Sequence, residues 1–378
     1  MNLSEGVFFE LARFPSHCTE LKRRERNMSK GNIFKMLAGL FLAVAMLIGG
    51  LGEALAAPGD PGPKITIRLS HSYPVTYIRH KSALKWKELL EKESKGQVEV
   101  KIFPAGQLQK SSGEMDAVVL GNVDMIAVHG GQNASLVPLW DIFAMPFLWP
   151  CDEKNFEPAW KFKTSEIVKR AMVPKLEQKG IKFLGFMTAL GCAANFSTTN
   201  RAVRKVSDFK GLKVNTAAGW IRYEAVKALG ASCVTLPVTE LSTALSQGTI
   251  DGEFSTFTQV LTAGYPVKYL HWWPSWTADT GSAFLMNMKK WNSLPDDIKK
   301  MIDSYVTPET QQWTNKEVLV EEAQAVVELK KRGMQFVDPD PGTIAECKKR
   351  VSPVYNLYEK KYGKEGQEIM AAAKAGLN

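Results

Sequence analysis

The sequence predicts an α/β protein of two domains, with parallel or mixed sheets and one long helix spanning both halves. Three observations carry this. Short apolar strands alternate with helical stretches at the spacing of βαβ units, the alternation restarts after residue 191, and a helical pattern runs from Asp296 to Gly333. With 378 residues there is enough chain for two cores, and 45% hydrophobic with 23% charged residues excludes disordered and fibrous classes.

Ile65 to Leu69 alternates as a first strand, and Ala83, Trp86, Leu89 and Leu90 recur at helical spacing before Gly96, a C′ residue. Val98, Val100 and Ile102 form a second strand. A helix from Glu114 stops at Gly121, and a third strand, Asp124 to Val128, runs out into His129-Gly130-Gly131-Gln132. One long helical pattern then reaches Gly180 and is followed by a strand, Ile181 to Met187.

The second half opens with strands at Asn195 to Thr199 and Leu212 to Val214. A helix to Leu229, a strand from Cys233 to Leu236 and a helix N-capped by Thr239 follow. Ile250 to Glu253 is a further strand, and the aromatic stretch Tyr265 to Trp276 leads to an apolar strand, Ala283 to Met286, that returns to the first domain. Ser293-Leu294-Pro295-Asp296 reads as a capping box opening the long helix, kinked near Pro308. The resulting domains are 64–191 with 280–318, and 192–279 with 319–378.

Lys30 and Lys35 precede the uncharged apolar run Met36 to Gly52, which ends in the small-x-small site Ala54-Leu55-Ala56. Residues 1–56 therefore read as a secretory signal peptide cleaved after Ala56, with Met28 as the start that gives a short basic leader. An uncleaved anchor is the alternative, since the run approaches the ~18 residues of a membrane span. Seven basic and five acidic residues lie in 1–56, so the net charge of +9 becomes +7 on processing. The remaining basic residues alternate with acids, as in Lys85, Lys87, Glu88, Glu91 and Lys92, which fits a solvated helix face and no nucleic-acid surface.

Cys151, Cys192, Cys233 and Cys347 contain no CxxC, and one disulfide among them is open without an assigned pairing. His71, His80, His129 and His271 form no metal-ligand spacing. No nucleophile elbow, zinc-protease motif, dinucleotide fingerprint or P-loop occurs, so no enzyme activity, cofactor or metal is expected.

Specific motifs stand in order along residues 64–361: Ser70-His71, Phe103-Pro104-Ala105-Gly106-Gln107-Leu108, Leu120-Gly121-Asn122-Val123-Asp124 and Met145-Pro146-Phe147. Ser207-Asp208-Phe209-Lys210-Gly211-Leu212-Lys213, Ala228-Leu229-Gly230-Ala231, Glu240 to Gly252 and Trp291-Asn292-Ser293-Leu294-Pro295 continue the series. In this order the chain resembles the DctP-type solute receptors of TRAP (tripartite ATP-independent periplasmic) transporters. The resemblance implies a type II periplasmic-binding-protein fold, residence in the periplasm, a small organic solute, most often a carboxylate, held between two closing domains, and membrane permease subunits as partners. The same cleft would serve an exported enzyme or the ligand-binding subunit of a sensor.

The departures from the family pattern bear on the solute. Where the family usually has an arginine that forks onto a carboxylate, this chain has Asn215; a second family arginine falls on Asn195, and the stretch after Asp-Gly reads Glu253-Phe254-Ser255. Losing such a pair removes roughly 1.5–3 kcal/mol, which disfavours a simple C4-dicarboxylate. Arg79 and Arg222 are the candidate replacements. His129, Gln132, Asn195, Asn215 and Ser255 would supply neutral hydrogen bonds, and Trp220, Phe254, Phe257, Trp272, Trp273 and Trp276 an aromatic wall. The expected solute is an organic acid, an aromatic or hydroxylated monocarboxylate, or a neutral polar compound.

Overall fold

The computed structural model describes residues 64–149, 157–188, 195–217, 219–272 and 281–375. The predicted signal peptide, Cys151, Cys192, Trp273 and Trp276 lie outside the described residues. β1 (Ile65–Ser70) leads through α1 (Ile78–Glu93) to β2 (Val98–Phe103), and α2 (Glu114–Leu120) leads to β3 (Met125–Val128). α3 (Gly130–Leu136), α4 (Glu157–Thr164) and α5 (Glu166–Glu177) precede β4 (Ile181–Phe186).

The second set comprises β5 (Asn195–Thr198), β6 (Lys213–Asn215), α6 (Trp220–Leu229), β7 (Ser232–Val234), α7 (Val238–Ser246), β8 (Gly252–Ser255), α8 (Phe257–Thr262) and β9 (Tyr269–Trp272). β10 (Ala283–Asn287), α9 (Met288–Ser293), α10 (Asp296–Met301) and α11 (Thr307–Lys331) follow. The described chain ends with β11 (Gln335–Val337), α12 (Thr343–Val351) and α13 (Pro353–Ala375).

Two mixed sheets result. The first has the order β2-β1-β3-β10-β4, parallel from β2 to β3 and antiparallel on both sides of β10. Its strands bury both faces: Met125, Ala127, Phe284 and Met286 point into one core, Ile126, Val128, Ala283 and Leu285 into the other. Burial on both faces explains why these strands read as unbroken apolar runs. The second sheet has the order β11-β9-β5-β8-β6-β7, with β6, β7 and β8 parallel and β5 antiparallel to its neighbours.

The long helix is α11, 25 residues or about 37 Å. Its first turns lie against α1, where Trp86 donates to Thr307 (3.3 Å) and Thr314 to Ser82 (2.9 Å). Its later turns reach the second body. There Glu322 accepts from the backbone amides of Phe257 and Thr258, both at 3.0 Å, while Ala325 and Leu329 enter the core beneath α7 and β9. A single π turn, Ile302–Val306, precedes Pro308, close to the expected kink.

Several local readings are corrected. The helical pattern ending at Gly180 is two helices, α4 and α5, divided at Ser165. Thr239 lies inside α7, whose N-cap is Pro237, and Ser293 closes α9 by donating to the Lys290 carbonyl (2.7 Å), leaving Pro295 as the N-cap of α10. Residues 353–375, grouped with the second half by sequence, pack through Val354, Tyr358, Ile369 and Met370 on a core of the first sheet. Cys233 and Cys347 are free thiols.

Candidate functional site

The carboxyl ends of β1, β3, β6 and β8 converge on a cavity of about 120 Å³, the position where open α/β sheets take ligands. The first body contributes Tyr73 and Tyr77 from the loop after β1, Arg79 from α1, and His129 just past β3. The second contributes Asn215 and Thr216 past β6, Arg222 of α6, Glu253 and Ser255 of β8, and Gln259 of α8. A drug-sized pocket spans about 300–1,000 Å³, so this one suits a small solute.

Local sequence fixes these side chains. Gly252 starts β8 where a Cβ would lie 2.3 Å from the Ser197 carbonyl, so only glycine lets β5 and β8 approach there, and Glu253 and Ser255 follow in register. His129 caps α3: its Nδ1 accepts from Gly131 N (3.1 Å), and its backbone amide donates to Gln132 Oε1 (3.0 Å). With Nδ1 accepting, the ring proton is assigned to Nε2. Arg79 Nε donates to Ser282 Oγ (3.2 Å), and its guanidinium lies 4.9 Å from the centre of the Tyr73 ring. Asn215 Oδ1 accepts from Leu236 N (2.9 Å).

Electrostatically the wall is cationic. Arg222 is 3% exposed, and burial, with Arg79 close by, brings its pKa down to about 10 against the opposing pull of Asp141. Burial, then Arg222 and Arg79, hold His129 well below the usual histidine range, so the imidazole is neutral at pH 7. Among the described residues, no carboxylate lies in ion-pair range of Arg79. Glu253 is the single acid on the described wall, and burial pushes its carboxyl up to about 8 although Tyr265, Asn215 and Gln259 favour the ionised form. At neutral pH the cavity thus presents two guanidiniums and no full negative charge.

Around them stand polar atoms with no hydrogen-bond partner: the hydroxyls of Tyr73, Tyr77 and Ser255 and one oxygen of Glu253 are all buried this way. Orphaned buried polar groups are costly, and a bound polar molecule would satisfy them. Among the described residues, no group of three or more His, Cys, Asp or Glu side chains is arranged to hold a metal.

Five of the ten residues singled out by sequence line the cavity: Arg79, His129, Asn215, Arg222 and Ser255. Gln132 turns away, its amide donating to Glu114 (2.7 Å) and the Ser111 carbonyl (2.6 Å). Trp220, the first residue of α6, turns toward α13, where its Nε1 donates to Asp141 (2.5 Å) and lies 3.3 Å from the Tyr362 hydroxyl. Phe257 is fully buried against Phe336 in the core, and Asn195 is buried at the start of β5, off the cavity wall. Trp276 lies outside the described residues. Phe254, expected on the aromatic wall, does line the cavity while stacking on Phe196 at 4.6 Å.

Tyr73, Tyr77 and Gln259 escaped sequence reasoning. For the tyrosines the signal was their place directly after the first strand, where a β-to-α loop faces the ligand end of a parallel sheet.

Residues 69–361 match the profile of the family described as bacterial extracellular solute-binding protein, family 7 (DctP). The chain is 27% identical over 342 residues to the C4-dicarboxylate-binding periplasmic protein DctP of Rhodobacter capsulatus, covering 90% of this chain and 99% of that protein. The sugar acid binding protein DctPAm from Advenella mimigardefordensis, solved with galactonate, superposes with a TM-score of 0.74 at 23% identity, over 83% of this chain and 99% of that one. A Shewanella oneidensis TRAP periplasmic solute binding protein with bound succinate gives 0.74 at 24% identity, over 83% and 100%. No helix among the described residues is long and apolar enough to cross a membrane. The chain therefore belongs to the DctP family of TRAP transporter solute-binding proteins.

Proposed function

We propose that the protein is a periplasmic receptor that captures a small organic anion carrying one carboxylate and further hydroxyl or ring oxygen atoms, and delivers it unchanged to TRAP permease subunits. The observation that carries this reading is the pairing of Arg79 and Arg222 with buried, unpartnered hydroxyls on one small cavity. Two guanidiniums on one wall favour an anion, and the neutral donors and acceptors favour oxygen substituents on it. Arg79 and Arg222 then take over the task of the family arginine that Asn215 replaces.

The lobes that would close on the solute are 64–191 with 280–318, and 192–279 with the residues up to α12; α13 goes with the first by its packing. Residues 1–56 act as the export signal. Support for a receptor over an enzyme comes from the DctP relatives, which are solute-binding proteins.

Thermal shift with galactonate, glucuronate, benzoate and succinate tests the reading. A ligand at a hundred times its Kd stabilises by about 2.7 kcal/mol, so a monocarboxylate should raise Tm by several degrees, be recovered chemically unchanged, and lose its effect in Arg222→Met. Stabilisation by succinate that survives both Arg222→Met and Arg79→Met, or by neutral solutes alone, refutes it.

A further inference from the structure

Glu253 is an unusual wall residue for an anion site. Its Oε1 accepts from Gln259 Nε2 (2.9 Å), while Oε2 is buried, without a hydrogen-bond partner, on the wall of the cavity that holds Arg79 and Arg222. Gln259 Nε2 also donates to the Tyr265 hydroxyl (2.9 Å), so the carboxyl is fixed from behind and its other oxygen is the one left for a ligand. A carboxylate there would repel a solute anion. A carboxylic acid would donate to one.

We propose that Glu253 is a specificity-determining residue that holds its proton on Oε2 and donates it in a hydrogen bond to an oxygen of the bound solute, so that above neutral pH the solute is captured together with one proton. This rests on the anion-receptor reading above. The step balances simply: a solvent proton joins the Glu253 carboxylate as the solute enters, and no covalent bond in the solute changes.

The charged and titratable groups that face Glu253 leave it alone in the relevant pH range. From the first body, Tyr73 is pushed up to about 12 and Tyr77 higher still, and His129 lies far below. From the second, Tyr265 is raised by burial and by Glu253, and Arg222 titrates near 10. Glu253 itself sits at about 8. Glu114, raised to about 7 behind Gln132 and Ser72, is the nearest competitor and supplies the control.

The experiment is calorimetric titration of the processed wild-type protein with galactonate, glucuronate and succinate at pH 7 and pH 9, in buffers of differing ionisation enthalpy that count protons. A free pKa of about 8 gives uptake of about 0.1 proton per solute at pH 7 and about 0.9 at pH 9, with affinity about tenfold weaker at pH 9. Glu253→Gln, which keeps a donor and cannot titrate, should bind equally at both pH values and take up no proton at pH 9; Glu114→Gln should keep the uptake. Binding with no proton uptake by wild type at pH 9, or uptake that persists in Glu253→Gln, overturns this proposal alone. The wild-type count decides even where the variant does not fold. Failure of all three anions to bind at pH 7 overturns the receptor reading and this proposal with it.

Discussion

Placing an arginine at 215 by Asn215→Arg should fail to create a tight carboxylate site, and the reason lies one strand away. Asn215 on β6 is paired in register with Glu253 on β8, and its amide already favours the ionised form of that carboxyl. Neighbouring strands lie about 4.8 Å apart, so a guanidinium at 215 meets the Glu253 carboxyl before it meets a solute. At an effective dielectric of 20, unit charges 4 Å apart attract by about 4 kcal/mol. Keeping Glu253 neutral at pH 7 with a pKa of about 8 is worth only about 1.4 kcal/mol. The pair wins, Glu253 ionises, and the added positive charge is cancelled inside the cavity.

A double-mutant cycle read by calorimetry with galactonate and succinate at pH 7 checks this. Asn215→Arg alone should stay within about threefold of wild type. Glu253→Gln alone should change little, and the double variant should gain ten- to hundredfold, corresponding to the roughly 1.5–3 kcal/mol of an unopposed charged hydrogen bond. Full gain in Asn215→Arg with nothing added by Glu253→Gln would refute the reasoning.

Arg222→Met should weaken anion binding by at least tenfold in the same titrations, because its charge reaches the solute in a desolvated setting. The apo protein should lose stability between pH 6.5 and 8 in proportion to Glu253. A carboxyl raised from 4.5 to about 8 in the folded state contributes stability that is complete below 4.5 and is lost as pH rises through 8, so Glu253→Gln should flatten the Tm profile there. His71 and His271, held near 4 by burial, act in the opposite direction but only below about 6.5, while Glu114, raised to about 7, acts in the same direction in the lower part of the window, so the contribution of Glu253 is read as the difference between wild type and Glu253→Gln, with Glu114→Gln as the control. Gly252→Ala should cost about 1–3 kcal/mol by urea denaturation, since its Cβ would meet the Ser197 carbonyl. Phe257→Leu should cost about 1–2 kcal/mol while leaving solute affinity unchanged, as a core residue would.

The elements that sequence found are those whose evidence is local. α2 ends at Gly121 in the left-handed conformation, and β10 is an apolar run buried on both faces. The missed elements are held by distant partners. α8 has six residues and is capped by Thr256 and by Glu322 of α11, some 65 positions away. β9 is half aromatic and looks like a pocket wall until β5 and β11 pair with it on either side. α3 begins with two glycines, poor helix formers, and is started by the capping box of His129 and Gln132, the two residues sequence had assigned to the ligand.

The site was half legible for a related reason. Arg79, Arg222, Asn215 and Ser255 could be flagged because each sits near a motif, but a cavity is made where loops from two sheets meet, and no spacing along the chain records that meeting. Glu253 shows the limit most clearly. By sequence it was a departure from a family triplet, and a buried glutamate beside an anion site would ordinarily count against binding. Only the three-dimensional surroundings turn this around: Gln259 fixes one oxygen, and burial raises the carboxyl to about 8 against the opposing hydrogen bonds of Tyr265, Asn215 and Gln259. A guanidinium at 215 would oppose a neutral acid at 253, its partner in the strand register, whereas an uncharged Asn215 is compatible with one. Arg79 and Arg222 are the basic residues on the described cavity wall, and the proposed anion recognition draws on them.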